Sequence, residues 1–188
     1  MPRRAAPAAL PLPDLVVLVL QGGGALGAFQ AGVYEAMIDL GIELDWVAGI
    51  SIGAVNAAII AGNPRDEAVG KLREFWNGVS SAMPSLPVAD NDWAREWAHM
   101  VAAGQVMAFG VPGFFTPRFP PPSFAERQTP EAVSFYDTKP LVETLDRLVD
   151  WDRVNNGNVR LSVGAVAVET GNFRYFDTKV DTIDARHI

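Results

Sequence analysis

The chain contains no cysteine, only two histidines (His99 and His187), and no Asp-Gly pair anywhere in its 188 residues. The first absence excludes a disulfide framework and a thiolate zinc site, so nothing in the sequence depends on the redox compartment. Two imidazoles are too few for a histidine metal cluster. Basic residues are also scarce. Fifteen Lys and Arg against twenty-two Asp and Glu leave a net charge of −7, which argues against a nucleic-acid partner because phosphate neutralisation needs a basic face. A membrane surface is not excluded, since an amphipathic patch can bind through apolar burial, although the average field would repel anionic lipid. Long hydrophobic runs are missing too, and none approaches the length of a membrane span.

What is present suffices for one domain, because 49% of the residues are hydrophobic and can fill a sizeable core. Residues 1–14, rich in proline and alanine, read as a disordered arm, followed by a domain over residues 15–188. Met1-Pro2-Arg3-Arg4 before the apolar run Leu15–Leu20 is superficially like a secretory signal. The run is short, lacks a small-residue cleavage pattern after it and leads straight into a glycine loop, so a buried strand is the better reading. The default location is then the cytoplasm or the inner-membrane surface. Continuous Val and Leu over Leu15–Leu20 predict a parallel strand buried on both faces. A helix is expected over Gly27–Leu40, with Phe29, Val33, Ala36, Met37 and Leu40 on its apolar face. A second strand, Leu44–Ile50, leads into a nearly all-apolar helix, Ile52–Ala61, and then a helix over Asp66–Val79. Residues 80–130 form a proline- and aromatic-rich insert with a helix over Trp93–Ala108. Beyond it, Pro140–Val149 reads as a helix, and Val159–Val168 and Phe173–Asp177 as paired strands. Strand-helix-strand-helix order predicts an α/β fold with a mainly parallel sheet.

Two glycine motifs fall at the carboxyl ends of the first two strands, where such sheets bind ligands. Gly49-Ile50-Ser51-Ile52-Gly53 has the G-x-S-x-G spacing of a nucleophile elbow, a strained strand-to-helix turn that pushes a serine hydroxyl toward solvent. Upstream, Gln21-Gly22-Gly23-Gly24-Ala25-Leu26-Gly27 can offer backbone N–H groups to an oxyanion. Each motif has a plainer reading. Ser51 can be a helix N-cap, and Gly22-x-Gly24-x-x-Gly27 can be a dinucleotide fingerprint, with Glu43 and Asp45 about twenty residues on. Against the dinucleotide alternative, Glu43 and Asp45 precede or start the second strand rather than ending it, and the G-x-S-x-G motif has no role there.

Leu18 through Gly32, together with Asp45 through Pro64, resembles the bacterial patatin-like phospholipases. The likeness is strongest over residues 15–64. It implies a three-layer α/β/α domain in which a Ser-Asp dyad cleaves acyl esters of lipids, without metal or cofactor. By the same resemblance Ser51 is the nucleophile, the amides of Gly23 and Gly24 are oxyanion donors, and Gly22, Gly27, Gly49 and Gly53 are the motif glycines. Leu26 departs from the basic residue often found at its position.

The larger departure is the base. The family's aspartate stands in an Asp-Gly-Gly or Asp-Gly-Ala motif, and a serine hydroxyl is a weak nucleophile without such a partner. Asp177, Asp181 and Asp184 are late enough in the chain but lack the following glycine, and read as charges around a hairpin. The resemblance places the aspartate beyond Ile188, so the C-terminal part of the domain is expected to be missing. A Ser-His-Asp triad through His187 is the other formal route. Trp93, Trp97, Met100 and Val101 form a helical apolar stripe, read as packing or as a membrane-facing lid, and His99 as a surface residue. The expected partner is a lipid or acyl ester. The alternative is a catalytically silent lipid-binding domain, and the sequence leaves head group, acyl length and oligomeric state open.

Overall fold

A computed structural model describes residues 11–81, 110–119, 134–167 and 170–188. Most of the expected N-terminal arm and of the insert lies outside these residues, as do the Trp93–Ala108 helix, its apolar stripe and His99. The chain divides into two compact units, residues 1–73 with 148–188, and residues 74–147.

The first unit is built on a four-stranded sheet. Strands β1 (Val17–Leu20), β2 (Trp46–Ile50), β5 (Arg160–Val166) and β6 (Phe173–Asp177) lie side by side in that order. The first three are mutually parallel and β6 runs antiparallel to β5. This is the α/β class with a mainly parallel sheet, consistent with a three-layer α/β/α arrangement.

Register sorts the strand residues onto two faces. Leu20, Val47, Leu161 and Val163 share one face and are buried. They pack under helix α2 (Ile52–Ala61), all ten residues of which are buried. Helix α2 tolerates this because its side chains are mostly Ala, Val and Ile, and each fully buried Val or Ile contributes about 1.5–3 kcal/mol. The polar ends of the helix are satisfied locally, as burial requires. At its carboxyl end Asn63 donates to the carbonyls of Ile59 and Leu148, both at 2.8 Å, and Asp150 N–H donates to Gly62 at 3.1 Å.

The other face differs from expectation. Val19 on β1 is 73% exposed, so the strand predicted to be buried on both faces is buried on one. Among the described residues it is a sheet edge, and Val17, Val19, Ile50, Val166, Phe173 and Tyr175 share a face that they leave exposed. Helix α1 (Gly27–Asp39) also turns differently. Phe29 is 77% exposed and Ala36 and Leu40 are exposed, while Gly27 and Tyr34 are buried. The apolar period suggested a stripe through Phe29, but the face toward α2 runs through Gly27, Gln30 and Tyr34 because Asn56 of α2 hydrogen-bonds there.

Helix α3 (Arg65–Ser81) follows, and in the second unit a two-residue ladder joins β3 (Thr116–Pro117) to β4 (Tyr136–Asp137) ahead of helix α4 (Lys139–Leu148). There Phe114, Phe115 and Tyr136 stack edge to face, which gives this small ladder an aromatic support. A short helix α5 (Trp151–Asn156) was not anticipated. Its signal is present in the sequence, since Asp150 caps it by accepting from Arg153 N–H at 3.0 Å. Asn155 on α5 holds the chain end, donating to Ile183 O at 2.9 Å and accepting from Ile183 N–H at 2.8 Å.

Candidate functional site

Strand β2 ends at Ile50 and α2 begins at Ile52, so Ser51 alone makes the turn. Its backbone sits at φ 55° and ψ −127°, the one positive φ at a non-glycine residue among those described. A β-carbon is costly in this region, and such outliers persist only where the surroundings enforce them. The enforcement is visible in the glycines on either side. A β-carbon on Gly49 would collide with the carbonyl of Gly53, and one on Gly53 with the carbonyl of Leu20. Helix α2 therefore starts in direct backbone contact with both strands, and the turn has no room to relax.

Ser51 stands at the N-cap position, yet its side chain makes no cap hydrogen bond, and the residue is exposed. Capping thus does not account for the serine. The hydroxyl lies at the amino end of a buried helix, where the helix dipole favours developing negative charge.

The glycine loop reaches the same place from β1. A β-carbon on Gly22 would lie 3.3 Å from Ser51 Cβ and 3.9 Å from Ser51 Oγ, so the loop passes directly over the serine. Gly23 and Gly24 have φ of 145° and 56°, a pair of conformations that side chains rarely adopt. Their N–H groups donate to nothing among the described residues. The loop then turns through a 3-10 segment, Gly24–Leu26, into α1. A strained, exposed serine thus stands at a helix N-terminus with a glycine loop packed against it, and two amides of that loop have no partner among the described residues.

The acidic residues of the dinucleotide alternative lie elsewhere. Asp45 lies just before β2, and its carboxylate accepts from Val16 N–H at 2.7 Å, at the opposite end of the strand from Ser51. Glu43 pairs with Arg65 at 3.2 Å. That end of the sheet has a hollow of about 210 Å³ lined by Tyr34, Arg65 and Arg153 among others. Burial raises the Tyr34 hydroxyl pKa, against the pull of the two guanidiniums.

None of the late aspartates faces Ser51 as a base. Asp177 stands opposite Ser162 in the ladder, level with Ala48 rather than Ile50. It accepts from Arg160 Nε on both carboxylate oxygens at 2.9 Å, from Arg160 Nη2 at 2.6 Å, and from Ser162 Oγ at 2.5 Å. Trp46 completes the cluster, donating to Ser162 at 2.8 Å with the Arg160 guanidinium 4.0 Å over its ring. Asp181 accepts from Asp177 N–H at 2.9 Å. Asp184 and His187 form a capping box around the final 3-10 turn, Ala185–His187, and the imidazole lies edge-on to Phe176. His187 is thus held by this turn and makes no contact with Ser51.

Desolvation opposes ionisation of Asp177, but hydrogen bonds from Arg160 and Ser162 prevail and lower its pKa to about 2. Arg186 holds Asp184 at about 2 as well. With folded values below the unfolded value of about 4, both carboxylates stabilise the fold above pH 4, and that stabilisation is lost as pH falls toward 2. Asp177→Asn should therefore weaken the dependence of Tm on pH between about 4 and 2 without abolishing it. A slope identical to wild type in thermal melts across that range would contradict the assignment.

Asn56, the one polar side chain in α2, is fully buried and joins α2 to the glycine loop. Motif spacing does not single it out. A lone amide inside an apolar helix is the signal that could have found it, because buried polar groups require partners.

Comparisons with known proteins agree on one family. A family model described as patatin-like phospholipase matches residues 18–187. Lysophospholipase nte1 of Aspergillus terreus is 52% identical over 70 residues, 35% of this chain and 4% of that protein. A patatin-like phospholipase domain-containing protein of Caenorhabditis elegans is 45% identical over 74 residues, 39% of this chain and 6% of that protein. Patatin-like phospholipase domain-containing protein 7 of Mus musculus is 34% identical over 75 residues, again 39% of this chain and 6% of that protein. The matched segments are thus a small part of these relatives. No solved structure matches the chain.

Proposed function

Since this chain belongs to the patatin-like phospholipase family, we propose that it is a lipid acyl hydrolase that works through an acyl-enzyme on Ser51. Family membership supports acyl hydrolysis in general, and the strained turn at Ser51, with Gly22 packed against it and the next two amides unpaired among the described residues, supports the finer reading. Ser51 Oγ attacks the ester carbonyl, the carbonyl oxygen takes the negative charge, and the two amides donate to it. Collapse of the tetrahedral adduct expels the alcohol of the lipid and leaves the acyl group on Ser51, which water then removes. Both steps need a base that takes the Ser51 proton and passes it to the departing alcohol, then takes one from water and returns it to Ser51, and a carboxylate fits that role.

The second reading is a lipid-binding domain without turnover. One observation favours it: no side chain among the described residues hydrogen-bonds Ser51 Oγ. A fluorophosphonate probe separates the two, because it reacts with activated serines. The hydrolase reading expects labelling that maps to Ser51 by mass spectrometry. Binding of lipid vesicles with neither labelling nor turnover of a p-nitrophenyl acyl ester would establish the binding module instead.

A further inference from the structure

Helix α2 carries Ser51 at its start and, one and a half turns on, an amide that holds the loop lying over that serine. Asn56 uses both hydrogens of its side-chain NH2, one to Gly27 O and one to Gln30 Oε1, each at 2.9 Å. Gln30 passes the contact on, since its own Nε2 donates to Gln21 O at 2.7 Å. The two backbone carbonyls reached in this way, Gln21 and Gly27, bracket the loop that contains Gly22, Gly23 and Gly24. Within the bracket the amides of Gly23 and Gly24 make no hydrogen bond among the described residues. Three glycines in a row have more conformations open to them than any other tripeptide. Left to itself this loop would not keep two N–H groups aimed at one point.

Resting on the hydrolase reading above, we propose that Asn56 and Gln30 are positioning residues that fix the oxyanion amides of Gly23 and Gly24 relative to Ser51. The order of the chain gives the tether its sense. Gln30 can accept from Asn56 and donate to Gln21 only with its carboxamide in one orientation, so the two bonds specify each other. Asn56 is fully buried, where hydrogen bonds are electrostatically strong and a broken one is costly. Gly53 supplies the steric counterpart, its Cα resting on the backbone of Leu20 and Gln21. Serine, loop and tether are thus referenced to one rigid helix. Preorganised donors of this kind act only in the transition state, so their misplacement should lower kcat more than it raises KM.

The test compares wild type, Asn56→Ala and Gln30→Met in the full chain. Gln30→Met keeps length and helix propensity while removing both Gln30 bonds, and its half-exposed position tolerates the change without loss of the fold. Two readouts are taken, amide hydrogen exchange at Leu26 and Gly27, whose N–H groups donate back to carbonyls of the loop, and the rate of fluorophosphonate labelling at Ser51, together with kcat and KM for a p-nitrophenyl ester. The expected result for Gln30→Met is exchange in the loop faster by about tenfold or more, and labelling and kcat reduced about tenfold to a hundredfold, with KM little changed. A missing oxyanion donor costs about a hundredfold to a thousandfold, so a displaced pair falls just below that range. Unchanged exchange would overturn the tether, and faster exchange with unchanged labelling would overturn its role in positioning. If wild type itself is not labelled, the hydrolase reading fails while the exchange data still decide whether the tether exists.

Discussion

Ser51→Ala is expected to lower kcat for acyl-ester hydrolysis by at least about a thousandfold, because loss of a nucleophile removes the covalent route altogether. What remains is whatever the amides and binding surface provide to attack by water. The same position offers a check that needs no activity. At φ 55° and ψ −127° the Ser51 β-carbon is strained, and outliers of this kind cost about 1–3 kcal/mol. Ser51→Ala keeps the β-carbon and so the strain, and its Tm should stay near wild type. Ser51→Gly removes it, offset by about 0.5–1 kcal/mol from the greater freedom of glycine in the unfolded chain. A net gain of about 1 kcal/mol corresponds to a rise in Tm of roughly 2–4 °C in a protein of this size. Loss of hydrolysis with a gain in stability is the signature expected of a residue held in an unfavourable backbone state. Hydrolysis by Ser51→Ala at the wild-type rate would end the mechanism, and a Ser51→Gly protein melting below wild type would show the turn to be unstrained.

Gly53→Ala should be among the most damaging single substitutions in the chain. The new methyl group would overlap the carbonyl carbon and oxygen of Leu20 and press on Gln21 O, all of them backbone atoms in or next to β1. No side chain can rotate away. Either α2 lifts from the sheet or β1 separates from β2, and α2 is buried along its whole length. The loss should exceed about 4 kcal/mol, a range reserved for changes that break a core or a backbone contact. Gly49→Ala meets Gly53 and Ala54 in the same manner and should be equally severe. By contrast Gly32 has nothing within contact distance of an added β-carbon. Gly32→Ala lies inside α1 and should stabilise it by about 0.5–1 kcal/mol, which makes it the control. Urea unfolding of the three variants checks the order, and a Gly53→Ala protein as stable as Gly32→Ala would refute the close contact.

Much of this was legible in the sequence because it rests on local chemistry. The bounds of α2, Ile52–Ala61, and of β6, Phe173–Asp177, are those expected, since a continuous apolar run specifies the first and the turn at Thr170-Gly171-Asn172 sets the start of the second. Strand β5, predicted over Val159–Val168, is shorter at Arg160–Val166 for the ordinary reason that strand ends fray into turns. The face of α1 was not legible. Apolar periodicity favours Phe29, Ala36 and Leu40, but a helix that packs on another helix is rotated by whatever contacts that neighbour demands. Here Asn56 demands Gly27 and Gln30. The burial of β1 was not legible for a related reason, as a run of Val and Leu does not reveal which face of the sheet is covered, and Val19 shares its exposed face with Ile50 and Val166 of the inner strands.

The sequence by itself determined which residues could form the site: a serine between glycines after one strand and a glycine triplet after another, together with the family they resemble. Their spacing follows from covalent chain length, so it survives any uncertainty in packing. Only the tertiary structure decided that the two motifs meet, with Gly22 against Ser51, because adjacency of β1 and β2 is a property of the sheet. It also decided that Asp177 is committed to Arg160 and Ser162 and that His187 serves a turn. The partners of Asp177 lie 15 and 17 residues away across a ladder, and hydrogen bonds of that range are fixed by packing rather than by any local pattern.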